Sequence, residues 1–321
     1  MSLLVVGSVA YDSVSTPAGS RDKSLGGSAT YFSIASSYFA DPSVVAVIGD
    51  DFAEDDVALL RSHRVDTSGL ERKKGKTFRW TGVYGAEDVN TRETLDTQLN
   101  VFADFSPRLS PDHRKSDYVF LANIDPGLQL DVLNQMDPRP KLVALDTMNF
   151  WIEGQREALT RVVKAVDVLF MDEGEVRSFA GVANLVSAAR WIHDIGPKTV
   201  IVKRGEHGAL LFDGGTPFAA PAIPLERVVD PTGAGDCFAG GFMGYLAASG
   251  DLSDGGFRRA AALGSVMGSF AVESVSADRV SSLTQQDIQE RFDQFTSLLR
   301  FPAMADGETL PWRSGRRGVC R

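Results

Sequence analysis

Cysteine is nearly absent from the 321 residues. There are two, Cys237 and Cys320, too few for a disulfide framework. Histidine is almost as sparse, with four scattered residues and no spacing that would gather ring nitrogens around a metal. Basic residues are in deficit: 33 Lys and Arg stand against 42 Asp and Glu, a net charge of −9. A chain that binds nucleic acid or an anionic membrane surface favours a basic face, so neither partner is expected. No apolar run approaches the roughly 18 residues of a membrane span, and no basic segment or signal-length stretch precedes the first apolar strand. These absences predict a cytoplasmic protein. With 43% hydrophobic residues the chain can bury one large core or two modest ones, and one α/β domain with an appendage is expected.

What is present is an alternation of short apolar runs with helical patterns. Leu3 to Val6, Val44 to Ile48, Tyr118 to Leu121, Leu142 to Leu145, Val168 to Phe170, Thr199 to Val202 and Ala209 to Phe212 read as strands. Ala29 to Tyr38, Ala53 to Arg61, Leu128 to Met136, Arg156 to Val163, Glu175 to Phe179 and Leu185 to Ile195 read as helices. Such alternation predicts βαβ units around a largely parallel sheet. Gly75 to Phe105 breaks the rhythm: it is rich in Thr, Asn, Asp and Arg, and the alternation in Thr77-Phe78-Arg79-Trp80-Thr81-Gly82-Val83-Tyr84 suits a solvent-facing β-ribbon. The tail, 301–321, abounds in Gly, Pro and Arg and reads as poorly ordered.

The most informative stretch is Val228-Val229-Asp230-Pro231-Thr232-Gly233-Ala234-Gly235-Asp236-Cys237-Phe238-Ala239-Gly240-Gly241-Phe242. Gly233, Ala234 and Gly235 carry almost no side chain, so their N–H groups can point into one shared space at a helix start, which binds anions. From Asp236 a helix is predicted through about Ala248, packing through Phe238, Phe242, Tyr245 and Leu246. A carboxylate in that first turn can take the proton from a hydroxyl while the amides hold charge developing on a phosphoryl group. The competing reading is a capped turn between strand and helix in which Asp236 merely satisfies backbone donors.

The order Asp230, Pro231, Thr232, Gly233, Ala234, Gly235, Asp236 resembles the C-terminal signature of the ribokinase/PfkB family of carbohydrate and nucleoside kinases. The resemblance implies a three-layer α/β/α fold with a mainly parallel central sheet, spanning residues 1–300, and a small β-lid from about 9–23 and 75–105. It makes Asp236 the general base and the amides of Gly233, Ala234, Gly235 and Asp236 an anion hole. Asp230 and Thr232 match positions that often help hold a monovalent cation, and Thr232 also falls beside the nucleotide. The Gly-Ala segment that accompanies K⁺ binding is missing, since the region reads Ser269-Phe270-Ala271-Val272-Glu273-Ser274-Val275; the K⁺ cage is incomplete.

Further motifs follow in family order. Asp12, after the strand Val5-Val6-Gly7, matches an Asp that bonds substrate hydroxyls, although an exposed turn Asp would read the same. Gly26-Gly27-Ser28-Ala29-Thr30-Tyr31 matches the N-terminal Gly-Gly signature, where glycines let substrate approach the backbone; Tyr31 stands where such chains usually carry Asn. Met171-Asp172-Glu173-Gly174-Glu175 resembles the Asn-x-x-Glu motif that orders Mg²⁺ through water, with Asp172 replacing Asn. Carboxylates at a strand end suit a hard hydrated cation, and they also suit a helix start. Lys203-Arg204-Gly205-Glu206-His207-Gly208 resembles the Gly-x-x-Gly turn at the nucleotide, with Lys203, Gly205 and Gly208 as contacts; a plain hairpin is the alternative.

Asn123, Asp146 and Asn149 follow apolar strands, where open α/β sheets bind ligands, and are candidates for substrate oxygens; ordinary strand-to-helix turns read alike. In the lid, Arg79, Asn90, Arg92 and Asn100 could reach a polar group. The expected activity is ATP- and Mg²⁺-dependent transfer of a phosphoryl group to a hydroxymethyl of a sugar. The alternative is a nucleoside acceptor, with Phe32, Phe102 and Phe105 able to stack a base, and a non-catalytic ligand-binding regulator stands as a third reading. The exposed lid edge is a plausible homodimer surface.

Overall fold

The computed structural model describes residues 1–85 and 91–311, so Asn90 and Cys320 lie outside the described residues. Its strands are β1 (Leu3–Val6), β2 (Ala10–Thr16), β3 (Gly19–Gly26), β4 (Pro42–Ile48), β5 (Asp66–Arg72), β6 (Phe78–Tyr84) and β7 (Arg92–Gln98). Then come β8 (Tyr118–Leu121), β9 (Leu142–Asp146), β10 (Val168–Asp172), β11 (Thr199–Lys203), β12 (Ala209–Phe212) and β13 (Phe218–Ala220). The helices are α1 (Ser28–Ser36), α2 (Glu54–Ser62), α3 (Pro126–Gln135), α4 (Asn149–Gly154), α5 (Arg156–Val163) and α6 (Glu173–Ala180). The last five are α7 (Leu185–Ile195), α8 (Ala234–Ser249), α9 (Asp254–Ala271), α10 (Asp278–Ser281) and α11 (Gln285–Leu298).

Among the described residues nine strands form one sheet in the order β13-β12-β11-β10-β9-β8-β1-β4-β5. From β11 to β5 every pairing is parallel, and β12 and β13 close one edge antiparallel. The apolar runs are continuous because both faces are covered. Successive side chains point to opposite faces: Leu3 and Val5 of β1, with Tyr118 and Phe120 of β8, enter one core with α1, α8 and α9. Leu4, Val6, Val119 and Leu121 enter the other, with α5, α6 and α7. Each such side chain contributes about 1.5–3 kcal/mol when fully buried.

All seven strands read from the sequence form. β5 does not announce itself, since Asp66-Thr67-Ser68-Gly69-Leu70-Glu71-Arg72 is polar and half exposed; it is an edge strand whose order comes from backbone pairing with β4. α9 and α11 likewise lie outside the segments read as helices. The aromatic residues considered as base platforms prove to have packing partners of their own. Phe32 is fully buried and stacks on Phe120 at 4.2 Å between centroids. Phe102 stacks on Phe105 at 5.3 Å and meets Phe78 at 5.4 Å.

A second sheet, in the order β3-β2-β6-β7, stands where the ribbon was expected, but β3 runs on to Gly26 and so leads directly into α1. This small sheet is tied to the body by side chains. Thr16 Oγ1 donates to the Val229 carbonyl (2.8 Å), Ser276 Oγ to the Leu25 carbonyl (2.5 Å), and Arg79 pairs with Asp51 (2.8 Å). Asn100 Nδ2 donates to the Thr77 carbonyl (3.0 Å).

Residues 301–311 are exposed and form no regular element, and among the described residues no helix is long and apolar enough to cross a membrane. Truncation after Ala303 should therefore leave the thermal midpoint within about 2 °C and the catalytic rate unchanged. Calorimetry and a rate assay on the shortened chain check this, and a large loss in either would mean that the tail docks.

Candidate active site

Three neighbouring parallel strands each end on a charged residue: β9 on Asp146, β10 on Asp172 and β11 on Lys203. The register sets Phe170 beside Asp146 and Asp172 beside Lys203, so these charges share the carboxyl edge of the sheet, where α/β folds bind ligands. Lys203 Nζ lies 2.6 Å from Asp146 Oδ2. Asp146 is 3% exposed, and its Oδ1 accepts the Thr147 N–H at 2.9 Å. Asp146, expected from the sequence to accept from a substrate hydroxyl, thus has one protein donor on each oxygen, which leaves further acceptor capacity. Burial raises its carboxyl above the ordinary range, with Lys203 opposing. Burial also works against the charge on Lys203, but Asp146, Glu175 and Asp236 outweigh it and hold the ammonium well above its usual range.

The start of α8 lies over this edge. Its N-cap, Gly233, has the left-handed φ of 76°, and no side chain among the described residues caps the helix. The Ala234 N–H is used locally, on the Pro231 carbonyl at 3.2 Å. Of the expected cradle, the amides of Gly233, Gly235 and Asp236 are left without an acceptor among the described residues. A Cβ on Gly235 would stand 3.1 Å from Lys203 Nζ, which sets an ammonium against these amides. Asp236, in the same turn, is partly exposed. Burial first, and Asp146 second, push its carboxyl up to about 7, with Lys203 and Arg92 pulling the other way.

Asp230 is buried beneath the turn. Its Oδ1 accepts the Thr232 N–H (2.9 Å) and its Oδ2 the Ser276 N–H (3.3 Å), so it joins the turn to the segment after α9. Thr232 Oγ1 donates to the Tyr84 hydroxyl at 3.2 Å, a contact from the small sheet to the motif.

Across the opening stands Asp12, on β2. A Cβ on Gly26 would lie 2.0 Å from its Oδ2, so glycine is required there for the carboxylate to occupy its position. The Gly27 N–H bonds to Asp12, and Gly27 is also the N-cap of α1, with φ 92°. Burial, and then Asp230, raise Asp12 to about 7 against the pull of Gly27 and Arg92. Arg92, on β7, thus acts on both Asp12 and Asp236, and it bonds the Tyr84 hydroxyl. Of the lid side chains named from sequence, Arg92 faces the site, whereas Arg79 and Asn100 anchor the sheet. Tyr84 was missed; its place at the end of an alternating segment was the available signal.

The other candidates are placed as follows. Asp172 and Glu175 form a capping box at the start of α6: Asp172 Oδ1 accepts the Glu175 N–H and Glu175 Oε2 accepts the Asp172 N–H, both at 2.7 Å. Glu175 is buried and is raised to about 8 by that burial and then by Asp172, with Lys203 opposing. Gly205 and Gly208 lie in the turn of the β11–β12 hairpin, and Gly208 presses on the backbone at Ala220. Asn123 Oδ1 accepts the Trp151 indole N–H (2.9 Å), and Asn149 is exposed at the start of α4. Among the described residues no three His, Cys, Asp or Glu side chains converge to hold a metal.

The profile of the pfkB family carbohydrate kinases matches residues 2–284. A cytidine kinase of Thermococcus kodakarensis is 32% identical over 252 residues, covering 76% of this chain and 88% of that protein. A 2-dehydro-3-deoxygluconokinase of Thermoproteus tenax is 29% identical over 242 residues, covering 69% and 73%. In fold, the nucleoside kinase of Methanocaldococcus jannaschii superposes with a TM-score of 0.73 at 18% identity, over 91% of this chain and 98% of that one.

Two outcomes test this geometry. Gly26→Ala should displace the Asp12 carboxylate and lower kcat/KM for the acceptor alcohol by on the order of 10²-fold, with the KM for nucleotide nearly unchanged; steady-state kinetics on both substrates would show it. The second concerns stability. An unfolded-chain Asp ionises near 4, while Asp236 does so at about 7. Its contribution is therefore fully present below about pH 4 and is lost as pH rises through about 7. Asp236→Asn should raise the melting temperature at pH 8 by a few degrees, roughly 1–3 °C, and by less at pH 5. An equal or opposite shift at the two pH values would refute the assigned ionisation.

Proposed function

The chain belongs to the pfkB family of carbohydrate kinases, enzymes that move a phosphoryl group to a sugar-like or nucleoside alcohol, and on that premise we propose that it phosphorylates a hydroxymethyl group on a sugar ring with ATP as donor. The observation that carries this reading is Asp236: a carboxyl raised to about 7 by burial, in the first turn of an uncapped helix, with Lys203 beside the same turn. A general base works best with a pKa near the working pH. An uncapped helix start with an ammonium against it suits the terminal phosphates of a nucleotide.

In the reaction Asp236 takes the proton of the acceptor hydroxyl, and the oxygen so freed bonds to the γ-phosphorus as the bond from that phosphorus to the bridging oxygen breaks. The Gly235 and Asp236 amides and Lys203 hold the charge on the moving group. Asp236 then gives its proton to solvent. Asp12 and Arg92 face the acceptor side and orient it, and the small sheet excludes water, which would compete as acceptor. Asp172 and Glu175 each use one carboxyl oxygen in the capping box, and the remaining oxygens would hold a hydrated divalent cation largely through its waters; Mg²⁺ so held would spread the charge of the terminal phosphates.

A nucleoside acceptor is the second reading, favoured by the cytidine kinase at 32% identity. Release of ADP with ribose, fructose, adenosine, inosine and cytidine, compared at equal concentration, decides between them. Asp236→Asn should lower kcat by roughly 10²–10⁴-fold while nucleotide still binds. In the unaltered enzyme kcat/KM should fall as pH drops below about 7, because protonated Asp236 cannot accept a proton. A flat profile between about pH 5.5 and 8, or near-normal turnover in the variant, would remove Asp236 as the base.

A further inference from the structure

Gln129, on α3, is fully buried, and its carboxamide meets the carboxyl edge of the large sheet. Nε2 donates to the Ala122 carbonyl at 2.9 Å and to the Asp146 carbonyl at 3.1 Å. Both partners can only accept, so the nitrogen must face them. Leu121 and Leu145 are the last register pair of β8 and β9, and the amide joins the two chains just beyond the point where that pairing stops. Gln129 Oε1 is buried without a partner among the described residues, a condition that costs stability. What this side chain contributes is therefore its pair of N–H donors. The helix that carries it is itself fixed: Asp125 caps α3 through the Gly127 and Leu128 N–H groups and is held in turn by Gln155 Nε2 at 2.6 Å.

The grip on Asp146 has a directional consequence. The Asp146 carbonyl and the Thr147 N–H belong to one planar trans peptide, so they point in opposite directions. Gln129 holds the carbonyl end, and the N–H end donates to Asp146 Oδ1 at 2.9 Å. The other carboxylate oxygen, Oδ2, accepts from Lys203 Nζ at 2.6 Å. That ammonium lies against the first turn of α8, where a Cβ on Gly235 would stand 3.1 Å from it. A continuous set of hydrogen bonds thus runs from α3, through one peptide and one carboxylate, to the ammonium beside the motif turn.

We propose that Gln129 is a positioning residue of this kinase: by holding the Asp146–Thr147 peptide it aims the Asp146 carboxylate at Lys203, and so fixes the ammonium against the turn that carries Asp236. This rests on the kinase reading above. Gln129→Met keeps an unbranched side chain of similar length and removes both donors. The Thr147 N–H is then free to turn away, and Asp146 loses a bond that favours its charged form. Lys203 loses its anchor with it. The charged groups acting on Asp236 are Asp146, Lys203, Arg92 and Asp12. Weakening the charge of Asp146, which raises Asp236 most after burial, lets Asp236 release its proton at lower pH.

Gln129→Met and the unaltered enzyme are compared with ATP and Mg²⁺ between about pH 5.5 and 8, on whichever of ribose, fructose, inosine and cytidine the unaltered enzyme uses best. At the alkaline end, where Asp236 is ionised, kcat should fall about tenfold with the acceptor KM within about twofold. The midpoint of the kcat/KM profile should move down by roughly half a unit. An unchanged kcat or an unchanged midpoint, whatever the effect on melting temperature, would overturn the assignment while the kinase reading stood, because a side chain that merely fills space moves stability alone. If the variant does not fold, the unaltered protein decides. Its Gln129 amide protons should exchange with deuterium on the order of 10²-fold more slowly than those of the exposed Gln285, and equal rates would show that the bridge does not form. If the unaltered enzyme releases ADP with none of the four acceptors, the kinase reading falls and takes this proposal with it.

Discussion

The buried ion pair between Lys203 and Asp146 is the interaction on which the rest of the site depends. A cation on one strand end and an anion on another, 2.6 Å apart, are brought out of water at a cost that only close geometry offsets, and removing one partner of such a pair typically destabilises by about 3–5 kcal/mol. The single ammonium serves more than one carboxylate, since Glu175 and Asp236 also act on it. It cannot balance all of them. Glu175 and Asp236 therefore keep their protons to about 8 and about 7, and the carboxyl nearest the opening is the one able to exchange its proton at neutral pH.

The same crowding links the small sheet to the chemistry. It attaches to the segments before α8 and after α9: the Thr16 side chain to Val229, Tyr84 to Thr232, and the Leu25 carbonyl to the hydroxyl of Ser276, whose N–H in turn bonds Asp230. Arg92 then brings a positive charge over Asp12 and Asp236. Loss of the sheet's position would thus loosen the motif turn and remove a charge from the acceptor side together.

The fold was legible where periodicity had one physical cause. Strands buried on both faces show as unbroken apolar runs, and β1, β8 and β9 could be placed from sequence for that reason. β5 could not, because an edge strand with a polar sequence is ordered by its neighbour. The Asp230 to Asp236 turn was legible as an anion site because glycine and alanine leave amides bare. That Asp146 pairs with Lys203 was not, since the partners are 57 residues apart and meet only through strand register. Nor could composition tell Arg92 from Arg79: pairing decides that one faces the site while the other holds Asp51. Phe32 shows the same limit, because an aromatic in a helix reads alike whether it faces a ligand or, as here, stacks on Phe120 in the core.

The central claim is that burial among carboxylates poises the Asp236 proton near neutrality. It is tested most directly by following the aspartate carboxyl carbons by NMR through a pH titration of the free protein. Two aspartates, Asp12 and Asp236, should titrate at about 7, and one of these two transitions should vanish in Asp236→Asn. Ordinary titration near 4 for every aspartate, or two neutral transitions that survive the substitution, would contradict the account.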